Sequence, residues 1–141
     1  MPNGQMPSLH KLSDSGLTVT TPAEDVRSRK VLDREGEEIG TVDDLMIDDK
    51  VQKVRFLRIA SGGFLGLGET KFLIPVDAIT RIEHDEVHIN KTREHVVRGP
   101  AYDPDLSQQQ EYWGGVYGYY GYTPYWGAGY MYPAYPIYPP R

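Results

Sequence analysis

The sequence contains no cysteine, which excludes a disulfide framework, a thiolate zinc site and a cysteine nucleophile. It also lacks a run of about 20 apolar residues, so no helix is predicted to span a membrane. Residues 1–21 lack the basic start and apolar block of a secretory signal, and we therefore expect a cytoplasmic protein. The formal net charge is −5 over 141 residues, which disfavours a protein that binds nucleic acid by neutralising phosphates.

Charge is also nearly absent from the C-terminal end. Residues 107–141, called the aromatic segment below, contain ten of the eleven tyrosines and both tryptophans, but only two charged residues, Glu111 and Arg141. Residues 25–106, called the β domain, are densely charged. Residues 1–24 are rich in Pro, Ser, Gly and Thr without periodicity, and we predict that they form a disordered lead.

The β domain has the pattern of an all-β fold. Alternating apolar residues predict strands near residues 38–47, 54–60, 71–76, 79–83 and 86–90, after a short apolar step at 31–32. Gly36 is placed for a turn with positive φ, and the alternation slips near Gly40, which predicts a bulge or tight bend. No helix of more than two turns is evident, although residues 92–97 are suited to one turn. Five to six short antiparallel strands predict a small barrel or sandwich, and we favour the β-barrel because closure removes exposed sheet edges.

Two motifs of the β domain resemble the PRC-barrel family. Residues 31–48 (VLDREGEEIGTVDDLMID) look like the opening of that family, and residues 72–79 (FLIPVDAI) look like its later strand and turn. The resemblance covers roughly residues 25–106. It implies a compact β-barrel that docks onto other macromolecules and does not catalyse a reaction.

The family is named for the H subunit of the photosynthetic reaction centre, and it includes the C-terminal domain of a ribosome-maturation factor. The chain shows neither the membrane helix of the former nor the extra N-terminal domain of the latter. It is more similar to free-standing bacterial members, so neither specific role is carried over.

Motifs for catalysis or metal binding are weak. Residues 63–70 (GFLGLGET) approach the spacing of a phosphate-binding loop, but Glu69 stands where a lysine is needed, and a strand is predicted to follow. The acidic pairs at 43–44 and 48–49 lack the pattern of a calcium loop. Glu86 and His88 share one strand face, yet a metal site needs at least three ligands. We therefore predict a protein that is not an enzyme and has no cofactor or metal, and we interpret the glycine-rich loop as a contact surface formed by Phe64, Leu65 and Leu67.

The aromatic segment is predicted to be flexible and adhesive. Twelve of the 29 residues from 112 to 140 are aromatic, interleaved with six glycines and five prolines, which oppose both helix and regular strand. Many weakly bound rings make a multivalent surface. The predicted interaction residues are Tyr112, Trp113, Tyr117, Tyr119, Tyr120, Tyr122, Tyr125, Trp126, Tyr132, Tyr135 and Tyr138.

The end of the segment has a finer pattern. A Tyr-Pro step recurs every three residues, at Tyr132, Tyr135 and Tyr138, which would align the rings along one face of a polyproline II helix. A featureless low-complexity tail is the alternative.

We predict a non-enzymatic protein-binding or assembly module. The β domain supplies a docking face, and the aromatic segment binds a protein partner, first of all a second copy of the chain. No small-molecule substrate is expected. One alternative is an RNA- or ribosome-associated factor that uses Arg55 and Arg58. Another is an adaptor held weakly at a membrane surface by its aromatic rings.

Overall fold

The structure is a computed structural model. It describes residues 9–15, 25–48, 53–62, 69–106 and 109–133. Within these residues, a curved β-sheet surrounds one core, and a C-terminal helix packs on it.

The β domain contains six strands, as the alternation predicts. They are β2 (Lys30–Leu32), β3 (Glu38–Asp48), β4 (Val54–Gly62), β5 (Glu69–Pro75), β6 (Ile79–Ile82) and β7 (Glu86–Ile89). A 3-10 turn, Val76–Ala78, joins β5 to β6, and β6 and β7 form an antiparallel hairpin. The strands follow one another in the sheet in the order β5-β4-β3-β2-β7-β6.

Two features of this sheet differ from the predicted antiparallel barrel. The pair β2 and β7 is parallel, with Val31 opposite Val87, so the sheet is mixed. Within the described residues, β5 and β6 stand at opposite ends of the strand order and do not pair, so the sheet is not a closed barrel. Part of the exposed side of β5 is covered by the chain after α2, because Phe72 bridges Ala101 and the Tyr102 amide donates to the Lys71 carbonyl at 2.7 Å.

The bulge predicted near Gly40 is confirmed. Val31 lies opposite Gly40 and Leu32 lies opposite Glu38, so one residue of β3 has no counterpart on β2. A Cβ atom at Gly40 would lie 2.2 Å from the Ala60 carbonyl oxygen. Glycine is therefore needed here because two backbones approach too closely for any side chain.

The turn at residues 33–36 is also confirmed, with Gly36 at φ 87°. The buried Asp33 carboxylate orders this turn by accepting from the Glu35 and Glu37 amides, both at 2.8 Å. It also accepts from the Arg93 amide at 2.8 Å, and so connects the turn to helix α2 (Arg93–Val97). Thr92 caps α2 by accepting from the His95 amide at 3.1 Å, which confirms the helical turn predicted over residues 92–97.

The disordered lead is wrong for residues 9–15. Strand β1 (Leu9–Lys11) pairs with β3, and a short helix α1 (Leu12–Ser15) follows it. Leu9 and Leu12 are buried in the core, and the Ser13 hydroxyl donates to the Asp44 carboxylate. Two spaced leucines are too weak a pattern to predict this pairing, which depends on the free side of β3. Residues 1–8 and 16–24 lie outside the described residues.

The composition of the aromatic segment predicts a flexible chain, and the structure contradicts this prediction for part of the segment. Residues 110–120 form a three-turn helix, α3 (Gln110–Tyr120), which packs against β5. The expectation that no helix exceeds two turns is therefore wrong. The helix forms because it makes tertiary contacts with the β domain.

The close approach at Gly40 leads to a first prediction. We expect Gly40→Ala to lower the free energy of unfolding by about 2 kcal/mol or more, because the new methyl group must push β3 away from β4. Urea denaturation followed by circular dichroism measures this change. Glu38→Ala, at an exposed position of the same strand, is the control and should change stability by less than about 0.5 kcal/mol. Equal stability of Gly40→Ala and the native chain would contradict the geometry of the bulge.

Candidate interaction site

Helix α3 lies on the β domain through one face. Its buried residues are Trp113, Val116, Tyr117 and Tyr120, which is the spacing i, i+3, i+4, i+7. Trp113 and Tyr117 are 0% exposed. This spacing is that of an amphipathic helix bound in a groove of a partner domain.

The groove receives the two largest rings at Phe56 of β4. The ring centroids of Phe56 and Trp113 are 5.2 Å apart, and those of Phe56 and Tyr117 are 4.8 Å apart. Both pairs are tilted, an arrangement that adds to the apolar area that the rings bury. Because a buried ring of this size contributes several kcal/mol, these contacts dominate the docking of α3.

Glycines both weaken and end this helix. Gly114, Gly115 and Gly118 lie in its interior, and each costs about 1 kcal/mol relative to alanine. Gly121 follows the last turn at φ 84° and ends the helix: its amide donates to the Gly118 carbonyl, and the Tyr122 amide donates to the Tyr117 carbonyl. The helix is thus well terminated but intrinsically weak, and it requires the β domain for its stability.

The residues around α3 are tied to the β domain by tyrosine hydroxyls. Tyr119 donates to the His95 carbonyl at 2.5 Å, and its ring stacks on the His95 ring at 4.3 Å. Tyr122 donates to Asn90 Oδ1 at 3.1 Å, and Tyr132 donates to the Val54 carbonyl at 3.2 Å. The described part of the aromatic segment is therefore attached to the β domain along its length, and we call it the docked segment (residues 109–133).

A polar layer lies beneath the docked segment. Arg55 on β4 forms a buried ion pair with Asp48, with 3.0 Å between Nη2 and Oδ2. The Arg55 guanidinium also lies 4.2 Å from the centre of the Tyr125 ring. Two buried atoms of this layer have no hydrogen-bond partner, Arg55 Nε and the Tyr117 hydroxyl. Since an unsatisfied buried polar group costs about 1–3 kcal/mol, this layer opposes docking while the rings favour it.

Burial shifts the pKa values of the acidic groups in this layer upward. It raises the pKa of Asp77, and the Asp77 amide, the Tyr130 hydroxyl and the Arg55 charge lower it only in part. Burial likewise raises the pKa of Tyr117 and of Tyr130 far above the usual value for tyrosine. The ionised form of Asp77 is thus disfavoured when the segment is docked.

The identity of the β domain follows from its sequence match. The family model described as the PRC-barrel domain matches residues 21–96, which is more than half of the chain. The chain belongs to the PRC-barrel family. A comparison with curated proteins found no match.

The PRC-barrel match ends in α2, before the docked segment begins. The groove that receives Trp113 and Tyr117 is formed by the PRC-barrel domain, whereas α3 lies C-terminal to it. The candidate interaction site of this chain is therefore a groove of the PRC-barrel domain, and the helix that fills it lies outside the residues that the family model matches.

The structure places nine of the eleven predicted interaction rings against the chain itself. Three are buried: Trp113, Tyr117 and Tyr120. Six are partly buried and pack on the core: Tyr112, Tyr119, Tyr122, Tyr125, Trp126 and Tyr132. The expectation that these rings are free on a flexible segment is wrong, because the β domain offers them an apolar groove. Their part in binding a partner stays a prediction.

The remaining predicted residues lie outside the described residues. They are Tyr135 and Tyr138 of the Tyr-Pro pattern, and Phe64, Leu65 and Leu67 of the glycine-rich loop. A strand follows that loop, as the sequence predicts, but β5 begins at Glu69, two residues before the predicted start at 71. Sequence reasoning missed Val116 and Gly121, although the spacing of apolar residues from 113 to 120, followed by glycine, is the signal of a capped helix.

The basic residues named for RNA binding are already paired. Arg55 is buried with Asp48, and Arg58 lies 2.9 Å from Asp43 on β3. Lys71 shares the same Asp43 carboxylate. The two arginine pairs join the neighbouring strands β3 and β4, and the Lys71 pair connects β5 to β3 across β4. The fold therefore already uses these basic side chains in ion pairs. Among the described helices, none has the length and apolar character needed to cross a membrane.

Three metal-ligating side chains meet on the β6–β7 hairpin. Ligand atoms of Glu83, Glu86 and His88 lie within 4.8 Å of one another, and Glu83 is the member that sequence reasoning missed. Arg81 lies among them, with Nε 3.2 Å from Glu83 Oε2 and Nη2 3.2 Å from His88 Nε2. Arg81 therefore already offsets one of the two carboxylate charges of this cluster, and we assign the cluster to ion pairing across the hairpin.

The glycines of α3 generate a second prediction. A Cβ atom at Gly115 or at Gly118 would meet no atom within 4 Å, and both positions are exposed. We expect Gly115→Ala and Gly118→Ala each to raise the free energy of unfolding by about 1 kcal/mol, because alanine favours the helix. Chemical denaturation measures the change. Gly121→Ala is the matched control and should destabilise the protein, since that residue has a positive φ.

The buried carboxylate of Asp77 generates a third prediction. Because its folded-state pKa is raised above 3.8, its contribution to stability is complete below pH 3.8 and is lost as the pH rises through the folded-state pKa. We therefore expect Asp77→Asn to gain stability relative to the native chain between pH 4 and pH 7. Urea denaturation across this range tests the sign. The exposed Asp105→Asn is the control, and an equal pH profile for native chain and Asp77→Asn would contradict the assignment.

Proposed function

We propose that the chain is a non-enzymatic protein-binding module whose PRC-barrel domain binds an aromatic amphipathic helix. The docked segment supplies that helix in cis. The same groove accepts the same helix from a second copy of the chain, which makes exchange of segments the route to self-association. The observation that supports this function most strongly is the i, i+3, i+4, i+7 row of buried residues on α3.

The contacts at the groove oppose one another, and this favours release of the docked segment from the groove. Ring contacts with Phe56 stabilise docking, whereas unsatisfied polar atoms and helix glycines oppose it. A helix held by such opposing terms is released more easily than a core helix. Release exposes a groove that is complementary to an identical segment, so a second copy is the partner of matching chemistry.

The proposed binding is tested with the chain and a peptide. The double variant Trp113→Ala/Tyr117→Ala keeps the groove but weakens its own segment. A labelled peptide of residues 109–133 should bind this variant, and it should bind the native chain at least about tenfold more weakly because the groove is occupied in cis. Fluorescence anisotropy measures both affinities, and the circular dichroism spectrum of the variant reports whether the β domain remains folded.

Two matched peptides make the test specific. A peptide with the same two alanines should not bind, because it lacks the rings that contact Phe56. A peptide with Met131→Ala should bind like the native peptide, since Met131 is 84% exposed. Failure of the native peptide to bind a folded double variant would refute the groove. If light scattering gave a monomeric mass for the native chain at every concentration, self-association would be refuted while binding of another partner's helix would survive.

A further inference from the structure

A cleft of about 310 Å³ lies where the end of α3 meets the chain between β7 and α2. The PRC-barrel domain lines it with Arg34, Asn90, Lys91, Thr92 and His95, and the last turn of α3 supplies the other wall. This volume is at the lower end of the range for small-molecule sites. The cleft is separate from the groove at Phe56 and does not depend on the proposed function.

The charged side chains of the cleft are of one sign. Arg34 and Lys91 are basic, and among the described residues no acidic side chain lines the cleft. This contrasts with the net charge of −5 of the whole chain. Arg34 pairs with Glu35 at 4.0 Å, and both groups are more than half exposed, so this pair is weak. The Lys91 ammonium lies 4.9 Å from the centre of the Tyr122 ring.

The neutral groups of the cleft are also left as hydrogen-bond donors. Asn90 Oδ1 accepts from the Tyr122 hydroxyl at 3.1 Å, which leaves the two N–H bonds of the amide to donate. Thr92 Oγ1 accepts from the His95 amide at 3.1 Å, which leaves its own hydrogen to donate. The side chains of the cleft therefore offer cations and donors, and they match a ligand made of acceptor oxygens.

We propose that this cleft binds the phosphate group of a small molecule. A phosphate has enough acceptor oxygens to use a guanidinium, an ammonium and two neutral donors at once, and charge-assisted hydrogen bonds of this kind are the strong ones. The last turn of α3 forms one wall of the cleft, so the complete cleft exists only when the segment is docked. Its occupancy accordingly stabilises that form. The sequence indicated no such site, because the lining residues come from three separated stretches.

Nuclear magnetic resonance of the full chain, labelled with nitrogen-15, tests the proposal. Inorganic phosphate and ribose 5-phosphate are titrated separately, with sodium chloride keeping the ionic strength constant. We expect saturable shifts of the backbone amides of Asn90, Lys91, His95 and Gly121 with both probes. Tighter binding of ribose 5-phosphate supports a phosphate ester as the ligand. Equal binding of the two probes would refute the claim that the cleft recognises any part of the ligand besides its phosphate group.

Charge variants separate a site from general attraction. Lys91→Gln and Arg34→Gln should each weaken binding by about tenfold, because each removes one charge-assisted contact. Lys30→Gln, on the exposed side of β2, is the matched control and should leave the affinity unchanged. The proposal is overturned if the cleft amides show no saturable shift. It is also overturned if Lys91→Gln and Lys30→Gln weaken binding equally.

Discussion

The packing of Trp113 and Tyr117 on Phe56 is the contact on which the C-terminal part of this structure depends. Both rings are fully buried, and they anchor a helix whose glycines make it weak on its own. Once α3 is docked, the chain beyond Gly121 lies beside β4 and β7, where tyrosine hydroxyls find carbonyl and amide acceptors. The described part of the aromatic segment is thus held first by its two fully buried rings, and the later residues add hydrogen bonds from their hydroxyl groups.

The same interface contains the forces that limit its stability. Arg55 and Asp48 are buried as an ion pair, and Asp77 is held where its charged form is disfavoured. A buried ion pair is weak evidence for stability, because the loss of hydration offsets much of the attraction. An all-apolar groove would hold α3 more strongly than this mixed layer does. A weaker hold of this kind is what the proposed exchange of helices requires.

The fold of the PRC-barrel domain explains why a helix is accepted at this place. The described strands form an open, mixed sheet, and residues 101–102 follow the outer side of β5 before the chain turns into α3. The helix is therefore delivered next to the strands that form the groove. Its far end meets α2, and the junction creates the cleft of basic residues. One added helix accounts for both candidate sites.

Much of the β domain could be predicted from local patterns in the sequence. The alternation of apolar residues predicts five to six strands, Gly36 marks a turn with positive φ, and the slip near Gly40 marks the bulge. These features depend on neighbouring residues and on backbone sterics. The parallel pairing of β2 with β7 was not predictable in this way, because it joins strands that are far apart in the sequence.

For residues 107–141 the sequence by itself determined a composition: many rings, little charge, and a high content of glycine and proline. It did not determine the helix, since the local preference of glycine opposes one. Only the tertiary structure decided that α3 forms, because the groove at Phe56 supplies the burial that the segment lacks alone. The conformation of such a segment depends on the surface that receives it.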